Sequence, residues 1–364
     1  MSLFPPADLV GEIFDPPISA DKFQLIMRLA YGGTGEVFVA RNSNRELTAL
    51  KILHAHLAIE PKATKAFEEE IKLMRRIDDP IFPAYISHGK LEGRPYLEME
   101  LIRGFDLAAL MREIKSGGET LGQQAAVSIL FPLVMTVERL SVSRGFIHRD
   151  LTPHNIIVDF AGRVRIADLG IAREAARESL TKTGEVKGKA AYLSPEQAAG
   201  ENLTAASDIF SLGATLFEAL TGEPLYSIEQ GDLWKQALDC NHGAERRLNE
   251  DILPELKNLV LVMLSKEPEK RPRAASVLVE LEIIARMLGG KADAQTVKLG
   301  VWPKAERLYT AFKNKLKPFE EKAEEMGVEA AAAIKNRKLL LIYATLFFGI
   351  ATFVATLLYK ACLP

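Results

Sequence analysis

Cysteine is almost missing from this chain of 364 residues: Cys240 and Cys362 stand far apart and without metal-ligand spacing, which excludes a disulfide framework and a structural zinc site. A charge excess is missing too. The 46 basic and 48 acidic residues leave a net charge of −2, and no long basic run breaks the balance, so no nucleic-acid partner is expected. No basic segment followed by an apolar run opens the chain, and a cleaved secretion signal is not expected. Internal repeats are lacking. With 48% hydrophobic, 7% aromatic and 26% charged residues, the bulk suits an ordinary globular protein of the cytoplasm with one large core or two modest ones.

Composition then divides the chain. Residues 1–20, with FPPA and DPPIS, read as a Pro-rich lead-in. Residues 21–101 alternate like strands around one charged helical stretch, PKATKAFEEEIKLMRRI, and 102–290 are mostly helical, with apolar spacings of three and four in DIFSLGATLFEAL and LPELKNLVLVML. Pro132 inside AVSILFPLVMTVERL predicts a kink. Residues 291–338 are polar, Lys-rich and Ala-rich, and read as a juxtamembrane linker with partial helix.

From Leu339 to Tyr359 the chain runs 21 residues without a charge. As a helix this is about 32 Å, against a hydrocarbon core of roughly 30 Å, so a transmembrane helix is preferred over a buried globular one. Lys335, Arg337 and Lys338 flank it on one side and Lys360 alone on the other, which leaves the large N-terminal part in the cytoplasm. The expected localisation is a single-pass C-terminal membrane anchor, with 360–364 a short tail and no outside domain. Thr345, Gly349, Thr352 and Thr356 fall at helical spacing and offer a small-residue face for a second copy, so a homodimer is an option.

Three stretches carry chemistry. In RLAYGGTGEVFVAR, residues 28–41, alternating apolar residues on both sides place Gly32, Gly33 and Gly35 at a hairpin tip, where amides can approach a phosphate without a Cβ in the way. A plain hairpin turn has the same glycines. Lys51, in LTALKIL, points into a cleft or into solvent; Glu70, beside the packed side marked by Phe67, Ile71 and Met74, could neutralise it. The stretch FIHRDLTPHNII, followed by VRIADLG, supplies Asp150, Asn155 and Asp168. A carboxamide and a carboxylate suit magnesium carrying phosphates, and a carboxylate upstream on the same loop can accept a hydroxyl proton. As isolated residues, Asp150, Asn155 and Asp168 read more often as caps or turn acids than as catalysts.

In this order, the glycine loop, Lys51, Glu70, HRDLTPHN and DLG resemble the eukaryotic-type (Hanks-type) Ser/Thr protein kinases, bacterial-like, over roughly residues 22–285. The resemblance implies an α+β, bilobal protein-kinase fold with a small β-rich N-lobe and a larger helical C-lobe, and ATP between them with Mg2+, or Mn2+ as an alternative. By similarity Asp150 is the catalytic base, Lys51 holds the α- and β-phosphates and pairs with Glu70, and Asn155 and Asp168 bind the metal. Leu29, Gly32, Gly33 and Gly35 cover the nucleotide, Val37 and Ala49 lie over the adenine, and Ile157 lies below it. The backbone of Glu100 and Ile102 would bond the adenine edge, beside Met99 at the gatekeeper position. Downstream, Glu196 of YLSPEQ would pair with Arg271, and Asp208 would brace the catalytic loop. Arg149 and the candidate phosphosites Ser179, Thr181 and Thr183 imply regulation through a phosphorylated activation segment. Protein substrates follow as partners.

Four departures qualify what the resemblance implies. Ala30 takes the first glycine position, Leu169 the usual Phe after the metal-binding Asp, Lys189 a usual Thr near the substrate hydroxyl, and Thr152 a usual Lys beside the transferred phosphate. The last two thin out the substrate side, and a slow kinase is expected. A pseudokinase scaffold would have lost Lys51, Asp150 or Asp168, and a small-molecule phosphotransferase would lack the SPEQ element; all are present. For His54, His56 and His88 the expectation is surface or loop roles.

Overall fold

The computed structural model describes residues 13–144, 146–169 and 190–311, with 314, 317 and 318 beyond them. The segment holding Ser179, Thr181, Thr183 and Lys189, and the apolar run 339–359 with its small-residue face, lie outside the described residues.

Strands β1 (Ile13–Ala20), β2 (Phe23–Tyr31), β3 (Gly35–Arg41), β4 (Leu47–Leu53), β5 (Tyr85–Leu91) and β6 (Arg94–Glu100) form an antiparallel sheet in the order β1-β2-β3-β4-β6-β5. Helices α1 (Ala55–Ala58) and α2 (Pro61–Met74) sit between β4 and β5. The period-2 pattern of strands divides the sheet into two faces. Leu50 and Ile52 join Phe23, Leu25, Phe38 and Tyr96 on an outer face. Ala49 joins Met27, Val39 and Met99 on an inner face that also receives Phe67, Ile71 and Met74 from α2. Pro61 opens α2, where its missing amide costs no hydrogen bond.

The lead-in expected at residues 1–20 is corrected in its second half. Ile13–Ala20 pairs with β2 despite Pro16 and Pro17, because β1 is an edge strand and its register shifts between Ile13 and Ile18; proline is tolerated there, where one side of the strand needs no partner. Phe14 pays for the pairing by closing the outer face, its ring centroid 6.4 Å from that of Phe38.

The second lobe begins with β7 (Gly104–Asp106), α3 (Leu107–Ser116) and α4 (Gln123–Arg144), then β8 (Ile156–Asp159) and β9 (Val164–Ile166), which complete a small sheet ordered β7-β8-β9. There follow α5 (Pro195–Ala199), α6 (Ala205–Thr221), α7 (Leu233–Asp239), α8 (Ala244–Arg247), α9 (Pro254–Met263), α10 (Ala274–Met287) and α11 (Ala294–Val301). The bilobal arrangement expected above, a β-rich lobe on a helical one, is what the chain forms. Among the described residues, Gln123–Val142 of α4 is long and apolar enough to cross a membrane, but it is the central helix of this lobe, packed by α6, α10 and α11. It runs through Pro132 without interruption, and the Thr136 hydroxyl donates to the Pro132 carbonyl at 2.9 Å.

The linker expected over 291–338 is also corrected in its first part. Val297, Val301, Trp302 and Ala305 are buried, a helical stripe that the Lys-rich average of the region conceals. Helix α11 packs on α4, so the folded unit continues past residue 290.

Candidate active site

Between the lobes lies a cavity of about 380 Å³, within the range of small-molecule sites. Strand register builds its roof. In β4, Ala49 and Lys51 share the inner face; Ala49 lies opposite Val39 and Met99, and Lys51 opposite Val37 and Leu97. Leu29, Ala30, Val37, Ala49 and Met99 line the roof and rear, and Ile157, two residues into β8, lines the floor. The β2–β3 hairpin places Gly32 and Gly33 in its turn and Gly35 at the start of β3. A Cβ on Gly35 would overlap the Ile52 carbonyl oxygen, so this strand pair admits only glycine there.

Lys51 Nζ meets Glu70 Oε1 at 2.6 Å and Asp168 Oδ2 at 2.9 Å. Burial works against the ammonium, but the Asp168 and Glu70 carboxylates more than offset it and hold the amine above its ordinary value. Burial pushes the Glu70 carboxyl up to about 7, against the attraction of Lys51. Two acids share one lysine. Asp168 is the more exposed of them, with a third of its side chain accessible. Leu169 is buried in the core that contains Phe67, Ile71 and Met74, as an apolar residue beneath α2 should be.

The catalytic-loop candidates converge from below. Asn155 Nδ2 donates to Asp150 Oδ2 at 2.6 Å and to the Asp150 carbonyl at 2.9 Å, which leaves the Asn155 Oδ1 as its acceptor. Ile156 pairs with Ile166 across β8 and β9, and the Ala167 amide donates to the Asn155 carbonyl at 2.8 Å, bringing Asn155 alongside Asp168. Thr152 is buried, and its hydroxyl has no hydrogen-bond partner among the described residues. Its backbone carbonyl, not the hydroxyl, ties the loop, accepting from the Asn155 amide at 2.9 Å.

Asp208 accepts from the backbone amides of His148 and Arg149, both at 2.8 Å. Burial pushes its carboxyl up while these amides pull it down, and burial wins. Arg149 has φ 68°, in the left-handed region, and Gln197 Nε2 holds its carbonyl at 2.9 Å. Arg271 grips Glu196 through NH1 and NH2 at 2.6 and 2.9 Å.

Several partners were missed by sequence reasoning. Glu100 does more than present its backbone: Arg165 NH2 meets its Oε2 at 2.6 Å, and its amide donates to the Ala84 carbonyl at 2.9 Å, so its carbonyl is the group left for a ligand edge. Ile102 lines the cavity in a stretch without regular structure. Glu36 takes Arg28 at 2.6 Å and Arg94 at 2.8 Å, all three buried. Of the surface or loop roles expected for His54, it takes the loop one: it lies between β4 and α1, buried, and its Nε2 donates to the Gly32 carbonyl at 2.5 Å, pinning the glycine hairpin. His56 and His88 are exposed as expected.

The arrangement fits ATP with a divalent cation. An apolar slot suits a flat base, and Lys51 suits phosphates; the Gly32 amide donates to the Gly35 carbonyl at 2.9 Å and closes the hairpin turn. Among the described residues no group of three or more His, Cys, Asp or Glu converges on a metal. Asn155 and Asp168 thus make a sparse oxygen site of the kind that phosphates complete around magnesium.

Residues 23–280 match the family described as "Protein kinase domain". The chain is 34% identical over 295 residues to serine/threonine-protein kinase PknB of Mycolicibacterium smegmatis, covering 78% of this chain and 45% of that protein. It is 30% identical over 280 residues to serine/threonine-protein kinase PknL of Mycobacterium bovis, covering 75% and 69%. The chain spans about half the length of the PknB proteins it matches. Among solved structures, the PknI kinase domain of Mycobacterium tuberculosis superposes with a TM-score of 0.54 at 20% identity, covering 73% of this chain and 98% of that one; this likeness concerns the fold.

Proposed function

Because the chain belongs to the protein kinase domain family, we propose that it is a protein Ser/Thr kinase that transfers the γ-phosphate of ATP to serine and threonine hydroxyls. The observation that carries this reading is the joint engagement of Lys51 by Glu70 and Asp168 opposite the Asp150–Asn155 pair. The base would sit between Val37 and Ala49 above and Ile157 below, its edge against the Glu100 carbonyl and the Ile102 backbone, with Leu29, Gly32, Gly33 and Gly35 over the sugar and phosphates. Lys51 holds the α- and β-phosphates. Asn155 and Asp168 would hold Mg2+, which would supply neutralisation of phosphate charge.

Asp150, oriented by Asn155, accepts the hydroxyl proton as the substrate oxygen bonds to the γ-phosphorus and the bond to the β-phosphate oxygen breaks, releasing ADP. Thr152 brings a hydroxyl but no positive charge to the transferred group. Transfer is then slower than at a lysine-bearing site by roughly 10- to 100-fold, or about 1.4 to 2.7 kcal/mol. Residues 339–359 anchor the kinase to the membrane with its folded part in the cytoplasm, and the face of Thr345, Gly349, Thr352 and Thr356 pairs two copies. Close pairing would favour phosphorylation of Thr181 and Thr183 between chains, with Arg149 receiving the phosphate.

The test is incubation of the full chain in detergent with labelled ATP and Mg2+, followed by mapping of phosphosites. Wild type should label protein hydroxyls, and Asp150→Asn should label them at least about 100-fold more slowly. Equal labelling by the two would overturn the reading. In the same assay Thr152→Lys should raise kcat about tenfold; loss of activity would show that the hydroxyl itself is needed.

A further inference from the structure

The nucleotide cavity has a wall that comes from outside the matched family region, which ends at residue 280: Leu308 and Ala311 line it together with Leu29, Ile102 and Phe105. Residues 306–311 are helical, and positions three apart share a helix face, so Leu308 and Ala311 present one apolar surface to the cavity. The segment is seated by contacts unrelated to the nucleotide. Trp302 is buried, and its Nε1 donates to the Asp159 carbonyl at 3.1 Å. Its ring packs on Phe160 at 5.1 Å, and Tyr309 meets Phe160 edge-on at 4.8 Å. Lys304 Nζ reaches the Thr120 carbonyl at 2.9 Å and Glu119 at 2.8 Å.

The seat is wired to the pocket. Phe105 lines the cavity and also lies 6.5 Å from Trp302 and 6.4 Å from Phe160. Asp159, which holds the indole, is two residues past Ile157 on the same strand and pairs with Gly104 of β7. At Gly162, φ 84°, an added Cβ would overlap the Ala294 carbonyl oxygen; the β8–β9 turn and the start of α11 are in close contact by construction. The cavity keeps about 380 Å³ with Leu308 and Ala311 in place, above the lower bound of roughly 300 Å³ for small-molecule sites. The two residues border the space without filling it.

We propose that the 302–311 segment is a built-in wall of the nucleotide pocket and that Leu308 is a positioning and affinity-determining residue for the adenine nucleotide. The proposal rests on the nucleotide reading given above. It makes nucleotide affinity depend on the docking of the segment that leads toward the apolar run at 339–359.

The test is titration of Mg-ADP into the full chain in detergent, with melting temperatures taken without nucleotide and with steady-state kinetics in ATP. Leu308→Asp should raise the Kd of Mg-ADP and the KM for ATP about tenfold, equivalent to about 1.4 kcal/mol. Leu308→Ala should raise both about threefold, with kcat at saturating ATP and the nucleotide-free melting temperature little changed. Tyr309→Ala, which frees the segment from Phe160 without touching the lining, should weaken binding as well. The wall is overturned if wild type binds Mg-ADP and the three variants bind it equally, or if kcat falls while KM holds. A wild type that binds no nucleotide would instead overturn the kinase reading itself.

Discussion

Glu36, one residue past the last glycine of the β2–β3 hairpin, divides its carboxylate between Arg28 and Arg94, whereas Asp208, beneath the catalytic loop, receives the backbone amides of His148 and Arg149. The two loops face one cavity, and one buried carboxylate serves each. On the upper side the partners are side chains, and the hairpin turn stays half-exposed. On the lower side the partners are main-chain atoms, and the carboxylate fixes dihedral angles, including the left-handed Arg149 that costs roughly 1 to 2 kcal/mol. A side-chain network holds a loop near its place; a backbone clamp dictates its conformation. On the proposed function, the lower loop presents Asp150 and Asn155 in one relation, and the upper one lets a nucleotide in and out.

The sharpest way to break the contrast is Glu36→Ala. It removes the carboxylate that two buried guanidinium groups share, while Arg94 keeps the Leu53 carbonyl at 2.7 Å; removal of one partner of a buried ion pair costs about 3 to 5 kcal/mol, and denaturant midpoints should report that loss. If the loss is within about 0.5 kcal/mol, the charges are satisfied elsewhere and the network is not what holds the hairpin.

Asp208→Asn comes next. The amide keeps one acceptor oxygen and loses its charge, so one backbone bond to a charged group disappears, worth about 1.5 to 3 kcal/mol. Phosphoryl transfer should fall further than stability predicts, because the dihedral constraint on Arg149 and Asp150 is released. Activity in proportion to folded fraction alone would remove the distinction between clamp and network.

His54→Gln should have the smallest effect and adds a pH signature. Burial lowers the His54 pKa below 6.5, aided by His56 and Arg94 and opposed by the Gly32 carbonyl and Glu36. The folded state therefore favours the neutral ring. This contribution is complete above the unfolded value and is lost as pH falls from about 6.5 through the folded value, at no more than about 1.4 kcal/mol per pH unit. Unfolding free energies at pH 7.5 and 5.5 should differ more for wild type than for His54→Gln; equal differences would mean that the ring titrates freely.

Much of the site was legible because it is written in local segments. Asp150 and Asn155 lie five residues apart on one loop, so their nearness is local, whereas Ala49, two from Lys51 on one strand face, was named only through the family resemblance. The pairing of Lys51 with Glu70 could be read from the helical stripe of Phe67, Ile71 and Met74. Other features were hidden by averages. Trp302 and its buried stripe sit in a Lys-rich region, and β1 sits in a Pro-rich one, where single apolar residues matter more than composition. His54 gave no signal at all, since a lone histidine after a strand reads as surface until the hairpin folds back over it.

By itself the chain's order of residue types determined the strands from residue 21 onward and the principal helices, since strand alternation and helical stripes act over a few residues. Which distant polar groups meet beyond the pairs the motifs implied was decided only by tertiary structure. Arg94 reaches Glu36 across 58 positions, Arg165 reaches the half-exposed Glu100 across 65, and the Trp302 indole reaches the Asp159 carbonyl across 143. Such contacts depend on the path of the whole backbone, and once burial removes water each charge is compelled to find whichever partner that path has brought within reach.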